Sequence, residues 1–261
     1  MSDQGERELY KKNAIFIFAH YDDEIGIFER IKYHISLNHN VVILYLTSSS
    51  LDGKENIKRE NKTISVLKRF GVRKKNIIFY GKLNNVGDLE LYKNLKNVYL
   101  DCLKIFKGYD SITKIYTHSY EGGHPDHDAA NIIIRMLCKK LSLDDVLFQF
   151  PLYSGKDSKW IFFKIFDPFK KNEDVISESI SFKDRVFFIQ LFFSYFNVQP
   201  KAIFGLSVPY LLHMFLKKTQ ILQKADLNNL IDRPHKGLLL YERRKMLSYE
   251  KFKEYKDKFI M

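Results

Sequence analysis

The chain has 261 residues, a formal net charge of +12 and a hydrophobic fraction of 45%. This length suits one large α/β domain or a domain with an appendage, and the chain has no run of about 18 apolar residues that would indicate a membrane-spanning helix. The lysines are spread along the chain and no nucleic-acid motif is present, so we expect a solvated basic surface without a nucleic-acid partner, and a specific anionic partner is the alternative.

Predicted strands and helices alternate over the first 150 residues. Apolar runs predict five strands, over residues 14–19, 41–46, 76–80, 112–117 and 146–150. Helical spacing of apolar residues predicts four helices, over residues 24–37, 55–70, 88–107 and 126–140. This alternation implies a mostly parallel sheet flanked by helices, so we assign residues 1–150 to a Rossmann-like α/β core. The Gly-rich dinucleotide fingerprint is missing after the first strand, which disfavours a nucleotide cofactor.

Residues 151–261 have a different character and are predicted to form a mostly helical, aromatic-rich extension. Residues 186–196 are apolar nearly all round a helix, and residues 203–216 are similar. We expect a helical layer buried in the core or in a dimer interface; the alternative is a membrane-surface lid, because aromatics beside lysines suit an interface. Residues 241–258 predict a charged, solvated helix. We expect the extension to complete the domain and the substrate cleft.

The N-terminal segment and the cysteines indicate the compartment. Residues 1–12 are polar and lack the apolar stretch of a signal peptide, which favours the cytoplasm, with peripheral contact at a membrane as the alternative. Cys102 and Cys138 lie inside predicted helices and have no Cys-x-x-Cys partner, so we expect two reduced core thiols. Nothing in the sequence decides the oligomeric state.

Two short polar stretches each follow a predicted strand. Residues 19–24 read Ala-His-Tyr-Asp-Asp-Glu, and residues 122–127 read Gly-Gly-His-Pro-Asp-His. Strands of an open parallel sheet deliver such residues to one carboxyl edge, where these folds bind ligands. His nitrogens and carboxylate oxygens are the ligands of a catalytic zinc, so the sequence predicts a metal site at that edge. The structural alternative is a helix cap in the first stretch and an ordinary loop in the second.

The residue types in these stretches suit metal-assisted hydrolysis of an amide or ester. Three of them form the predicted ligand set, with water at the fourth position: His20, Asp23 and His127. The neighbouring Asp22 is then available to take a proton from that water. His124 is expected to stabilise an oxyanion as an imidazolium, held in its charged form by Asp126. Sites of this composition also accept Fe²⁺, so zinc is the expected metal and iron the alternative.

The two stretches resemble the signatures of the PIG-L (LmbE-like) family of zinc-dependent N-acetylglucosamine de-N-acetylases, Ala-His-Pro-Asp-Asp-Glu and His-Pro-Asp-His. Thr117-His118 and the helix from Arg59 to Gly71 also resemble the family pattern. The resemblance covers roughly residues 14–150. It implies zinc binding by the three predicted ligands, a general base at the first Asp of the first motif, here Asp22, and an oxyanion or acid role at the first His of the second, here His124.

The resemblance implies removal of acetyl from an N-acetylglucosamine unit, carried on inositol, a lipid, a thiol precursor or another sugar. Tyr21 departs from the pattern, because it stands where the family has Pro, and it would add a hydroxyl near the substrate. We therefore include Tyr21 among the substrate-binding candidates, together with Arg59 and Arg233. The competing interpretations are a non-catalytic carbohydrate- or metabolite-binding protein on the same fold, another single-metal amidohydrolase or esterase, and a phosphoesterase.

Overall fold

A computed structural model of the chain describes residues 12–50, 56–159, 162–168, 175–225 and 233–261. The strands in these ranges are β1 (Asn13–Phe18), β2 (Asn40–Tyr45), β3 (Ile77–Phe79), β4 (Ile112–His118), β5 (Leu147–Phe150), β6 (Tyr153–Ser154), β7 (Lys164–Ile165), β8 (Val175–Ser179) and β9 (Thr219–Lys224). The α-helices are α1 (Phe28–Ser36), α2 (Ile57–Phe70), α3 (Tyr80–Leu83), α4 (Leu95–Phe106), α5 (Pro125–Leu141), α6 (Phe182–Ser194), α7 (Pro200–Leu212), α8 (Leu240–Arg243) and α9 (Tyr249–Ile260).

The main sheet has seven strands in the order β3-β2-β1-β4-β5-β9-β8. The first five strands in this order run parallel, and β9 and β8 continue the sheet antiparallel beyond β5. The strand order reverses between β1 and β4. A crevice opens beyond the carboxyl ends of the strands at such a reversal, and α/β proteins bind ligands there. The predicted α/β fold class is confirmed.

The sheet separates two apolar cores, because alternate residues of a strand point to opposite faces. Phe16 and Phe18 of β1 pack into one core with residues of α1, α2, α6 and α7. Ile15 and Ile17 pack into the other core with residues of α4, α5 and α9. All four side chains are almost completely buried, as expected for a strand covered on both faces. Cys102 and Cys138 are buried and free, as predicted.

Two predicted helices are shorter than expected. The helix predicted over 24–37 begins at Phe28, after a 3₁₀ turn at Asp23–Gly26, and the helix predicted over 88–107 begins at Leu95. In both cases the residues before the helix contribute to the site at the carboxyl edge, described below. Forming the helix earlier would redirect the groups that point into that site.

The extension contains strands that the sequence did not reveal, because β8 and β9 add two strands to the main sheet. The tail also differs from the prediction, since α9 is not wholly solvated. Its Tyr249, Phe252 and Lys256 are buried, and Phe252 belongs to the core formed by α4 and α5. Among the described residues, no helix is long and apolar enough to cross a membrane.

Candidate metal centre

Two strand ends and a helix start form the site. Residues 19–23 follow β1, and β4 ends in His118. Asp22 lies in the left-handed region with φ of 101°, so the chain turns sharply, and Asp22 and Asp23 bond to different partners. His124 is the N-cap of α5, with Pro125 at the first helical position, where its missing N–H and fixed φ cost nothing.

The three predicted ligands converge. His20 Nδ1 lies 3.2 Å from His127 Nε2 and 3.4 Å from Asp23 Oδ2, and His127 Nε2 lies 3.3 Å from Asp23 Oδ1. Ligand atoms bound at about 2.0–2.2 Å around a tetrahedral ion lie about 3.3–3.6 Å from one another. The chemistry of these donors fits a small divalent cation, and their atoms approach one another closely, with both oxygens of Asp23 involved.

His118 lies beside this set and was not among the predicted site residues. Its ring stacks on His127 with centroids 3.9 Å apart, and its Nε2 lies 3.1 Å from Asp23 Oδ2. The backbone N of Ala19 also lies 3.1 Å from this nitrogen. The Nδ1 atoms of His118 and His127 are buried without a hydrogen-bond partner among the described residues. Other groups of the described residues could also hold a metal ion, among them Asp23 with His118 and His127, and His20 with His124 and His127, so the predicted ligand set stays a prediction.

Three buried imidazoles surround the carboxylate of Asp23. Burial alone would raise the pKa of Asp23, but the imidazoles of His127, His118 and His20 outweigh it and hold the pKa well below its ordinary value. An ionised carboxylate among several imidazoles is the electrostatic arrangement that a divalent cation requires of its ligands.

Two carboxylates contact His20 at its Nε2 atom. Its Nε2 lies 3.1 Å from Asp88 Oδ1 and 3.2 Å from Asp126 Oδ2. The backbone N–H groups of Leu89 and Leu91 donate to Asp126 at 2.7 and 3.1 Å, which fixes its orientation. Burial lowers the pKa of His20, but Asp88 and Asp23 outweigh it and raise the pKa well above the ordinary value. Carboxylates in this position commonly orient a metal-binding imidazole.

The prediction that Asp126 holds His124 in its charged form is wrong. The Asp126 carboxylate contacts His20, and only its backbone N–H donates to His124 Nδ1, at 3.2 Å. Burial and the nearby His20 lower the pKa of His124 well below its ordinary value, and a helix N-terminus also disfavours positive charge. His124 is therefore neutral, with its proton on Nε2, which lies 3.6 Å from Asp88 Oδ1.

Asp22 is separated from the ligands and held by two donors. Arg59 Nη2 donates to its Oδ1 at 2.7 Å, and Gln199 Nε2 donates to its Oδ2 at 2.5 Å. Burial raises the pKa of Asp22, although the charge of Arg59 opposes the shift. Arg59 also donates to the carbonyls of Tyr21 and Ser49, at 2.8 and 3.2 Å. Arg59 therefore holds the turn and the Asp22 carboxylate in place. This role differs from the substrate contact predicted for Arg59.

The other two substrate-binding candidates also have different surroundings from those expected. The Tyr21 ring is 1% exposed and packs edge-on against Tyr45 and Phe79, so it belongs to the core. Arg233 pairs with Glu242 and lies over the Tyr249 ring, 4.7 Å from its centroid. These contacts are made with other side chains of the fold and not with the predicted ligands.

The comparisons with known proteins agree with this geometry. Residues 15–138 match the family model described as PIG-L: GlcNAc-PI de-N-acetylase. Over this range the chain is similar to the PIG-L (LmbE-like) de-N-acetylases. The resemblance that the two motifs indicated is thus confirmed, and both motifs lie inside the matched range. No curated protein sequence matches the chain.

Solved structures share the fold at low sequence identity. One is a deacetylase of the teicoplanin biosynthesis pathway, at 12% identity and a TM-score of 0.58, covering 81% of this chain and 96% of that one. Another is the N,N'-diacetylchitobiose deacetylase of Pyrococcus horikoshii, at 16% identity and a TM-score of 0.55. The match covers 85% of this chain and 87% of that one. A third is a zinc-inhibited form of the teicoplanin deacetylase, at 13% identity and a TM-score of 0.52. The match covers 85% of this chain and 90% of that one.

Proposed function

We propose that this protein is a divalent-metal-dependent hydrolase that removes the acetyl group from an N-acetylglucosamine-type amino sugar conjugate, with zinc as the metal and Fe²⁺ as the alternative. The observation that carries the proposal is the convergence of His20, Asp23 and His127 within 3.4 Å of one another. The carboxylate of Asp22, which adjoins Asp23 in sequence and is held by Arg59 and Gln199, supports hydrolysis over simple binding. The family description and the deacetylases among the structural neighbours support the amide as the bond that is cleaved.

Each residue has a distinct part in the proposed reaction. His20, Asp23 and His127 would hold the cation, which when bound would supply Lewis acidity to the acetyl carbonyl and to a water molecule. Asp22 accepts a proton from the attacking water, using a lone pair that its bonds to Arg59 and Gln199 leave open, and returns a proton to the nitrogen as the C–N bond breaks, so that acetate and the free amine are the products.

His124 acts on the carbonyl oxygen rather than on the attacking water. Its Nε2–H donates a hydrogen bond to this oxygen as negative charge develops there. A neutral donor can do this, so the role does not need the imidazolium that the sequence suggested. The bond from the Asp126 backbone N–H to Nδ1 keeps the ring in the tautomer that the role requires.

Two substitutions at adjacent positions test these roles. Asp22→Asn keeps the shape of the side chain and removes its basic oxygen, so activity should fall by about 10²–10⁴-fold while about one metal per chain is retained. Asp23→Ala deletes a ligand, so the metal content itself should fall. The measurements are amine release from a panel of N-acetylglucosamine conjugates and elemental analysis of the purified protein.

The same experiment separates the proposal from its alternatives. If Asp22 only capped the following turn, Asn would be an equally good cap and activity would stay near normal. A protein that retains metal but releases amine from no member of the panel would support the non-catalytic binding protein instead.

A further inference from the structure

The outer face of α7 and the π-helical turn that follows it, His213–Lys217, is apolar and exposed. Five side chains form this face, and we name them the apolar face: Phe204, Val208, Leu212, Phe215 and Leu216. Their exposed fractions are 76%, 64%, 53%, 51% and 71% in that order. Positions 204, 208 and 212 are four residues apart, so they lie along one side of the helix.

The opposite side of α7 is also apolar and holds the helix on the fold. Ile203 and Tyr210 are buried, and the Tyr210 ring stacks on Phe192 of α6 with centroids 4.2 Å apart. The sequence suggested that both sides would be covered. Contiguous exposed apolar surface of this kind usually marks an interaction site.

The segment that carries the apolar face has charges of one sign. Residues 185–225 contain no Asp or Glu, while Arg185, Lys201, Lys217, Lys218 and Lys224 all lie within them. Lys201 is exposed at the start of α7, and Lys217 and Lys218 are exposed just beyond its end. Lysine stems pack along apolar surface while their ammonium groups reach out to anionic headgroups. Cations at both ends of an apolar helix face are typical of helices that lie in a bilayer surface.

We propose that the apolar face, with Lys201, Lys217 and Lys218, is a docking surface for an anionic lipid bilayer. A second copy of the chain fits less well, because a two-fold contact through this face would bring the lysines of both copies together without acidic partners. α7 has 13 residues, too few to span a bilayer but enough to lie along its surface.

Docking would bring the metal centre close to the membrane. Gln199 immediately precedes α7, and its side chain donates to Asp22 at 2.5 Å. The proposal stands independently of the proposed function, since the apolar face and its lysines contain none of the residues assigned to the reaction.

Vesicle co-sedimentation of the full chain tests the proposal. The wild-type protein should bind vesicles made of equal parts phosphatidylcholine and phosphatidylserine, and bind weakly to phosphatidylcholine alone. Phe204→Ser/Leu216→Ser should lower binding by at least about tenfold, since each exchange removes a large apolar side chain from the contact. Lys201→Gln/Lys217→Gln should weaken binding to the anionic vesicles by about fivefold per lysine.

A control variant removes two exposed apolar side chains elsewhere. Leu83 and Leu100 are 73% and 44% exposed, so Leu83→Ser/Leu100→Ser should bind vesicles like the wild type. An equal loss of vesicle binding in Phe204→Ser/Leu216→Ser and in Leu83→Ser/Leu100→Ser would overturn the proposal. So would the absence of wild-type binding to either kind of vesicle. So would a wild-type dimer in light scattering that Phe204→Ser/Leu216→Ser dissociates, since the occupant would then be a second copy. Asp22→Asn should bind vesicles normally, which separates a failure of docking from a failure of catalysis.

Discussion

Arg59→Met should destabilise the protein by leaving Asp22 without its cation. Both side chains are 12% exposed, and the Arg59 Nη2 to Asp22 Oδ1 distance is 2.7 Å. Removing one partner of a buried ion pair costs about 3–5 kcal/mol, because the other charge stays buried without compensation. Gln199 still donates to Asp22, so we expect the lower end of this range, about 3 kcal/mol. The measurement is the free energy of unfolding in urea, with a chelator present so that metal binding does not contribute.

A double-mutant cycle with Asp22→Asn isolates the pair. Arg59→Met/Asp22→Asn contains no unpaired charge and loses mainly the two bonds to the Tyr21 and Ser49 carbonyls, at about 1 kcal/mol each. The double variant should therefore be more stable than Arg59→Met alone, with a coupling energy of about 1–3 kcal/mol between the two sites.

Additive effects would refute this reasoning. They would mean that Arg59 is not the group that holds Asp22, and the substrate contact suggested by the sequence would again be the better interpretation of this arginine. Lys58 is the matched control, because it is the exposed neighbour of Arg59 on α2. Lys58→Met should change the free energy of unfolding by no more than about 0.5 kcal/mol.

Two further substitutions test single contacts. Gln199→Leu removes the donor to Asp22 Oδ2, so kcat should fall about tenfold while KM and the metal content stay unchanged. The measurement is steady-state kinetics, and a rise in KM without a fall in kcat would contradict a positioning role for Gln199. Burial and the charge of His39 lower the pKa of His34 to about 3, so the unfolded chain binds more protons than the folded chain below pH 6.5. The contribution of His34 to stability should therefore fall by about 2 kcal/mol between pH 7.5 and pH 5, and His34→Gln should remove that part of the slope in urea unfolding.

The parallel core and the position of the site were predictable from the sequence, because both depend on short-range pattern. A continuous apolar run such as residues 14–18 has few options besides a strand covered on both faces. Once β1 and β4 are adjacent and parallel, the residues that follow them must meet at one edge. That argument brought His20, Asp23 and His127 together without any knowledge of side-chain geometry.

The partners of the site residues were not predictable in the same way. Asp126 lies two residues after His124 in sequence, which suggested that its carboxylate serves His124. Its carboxylate is instead held by backbone N–H groups of the 89–91 segment, and it contacts His20. Asp88 gave no signal, since it is one acid in a stretch predicted to be helical. Which backbone groups reach a carboxylate depends on where a helix starts, and helix ends are the least certain part of such predictions.

The strands of the extension were missed for a different reason. β8 reads Val-Ile-Ser-Glu-Ser and β9 reads Thr-Gln-Ile-Leu-Gln-Lys, so neither has the apolar run of a central strand. β8 lies at the edge of the sheet, where alternate side chains face solvent and polar residues are tolerated. The helical aromatic segments of the extension were easier to see, but their exposure was not. Apolar composition all round a helix does not say which side the fold covers.

The residues that support Asp22 come from both the core, residues 1–150, and the extension, residues 151–261. This indicates that the core and the extension form one unit. Glu24, the last residue of the first motif, accepts the Asp22 N–H at 3.1 Å and the Tyr45 hydroxyl at 2.8 Å. Tyr195 of the extension donates its hydroxyl to the other oxygen of Glu24, and Gln199 donates to Asp22 itself. β9 also covers the edge of β5 that a chain ending near residue 150 would expose, and exposed edges invite aggregation. We therefore propose that residues 151–261 complete both the sheet and the support of the catalytic base, so the reaction must be tested in the full chain.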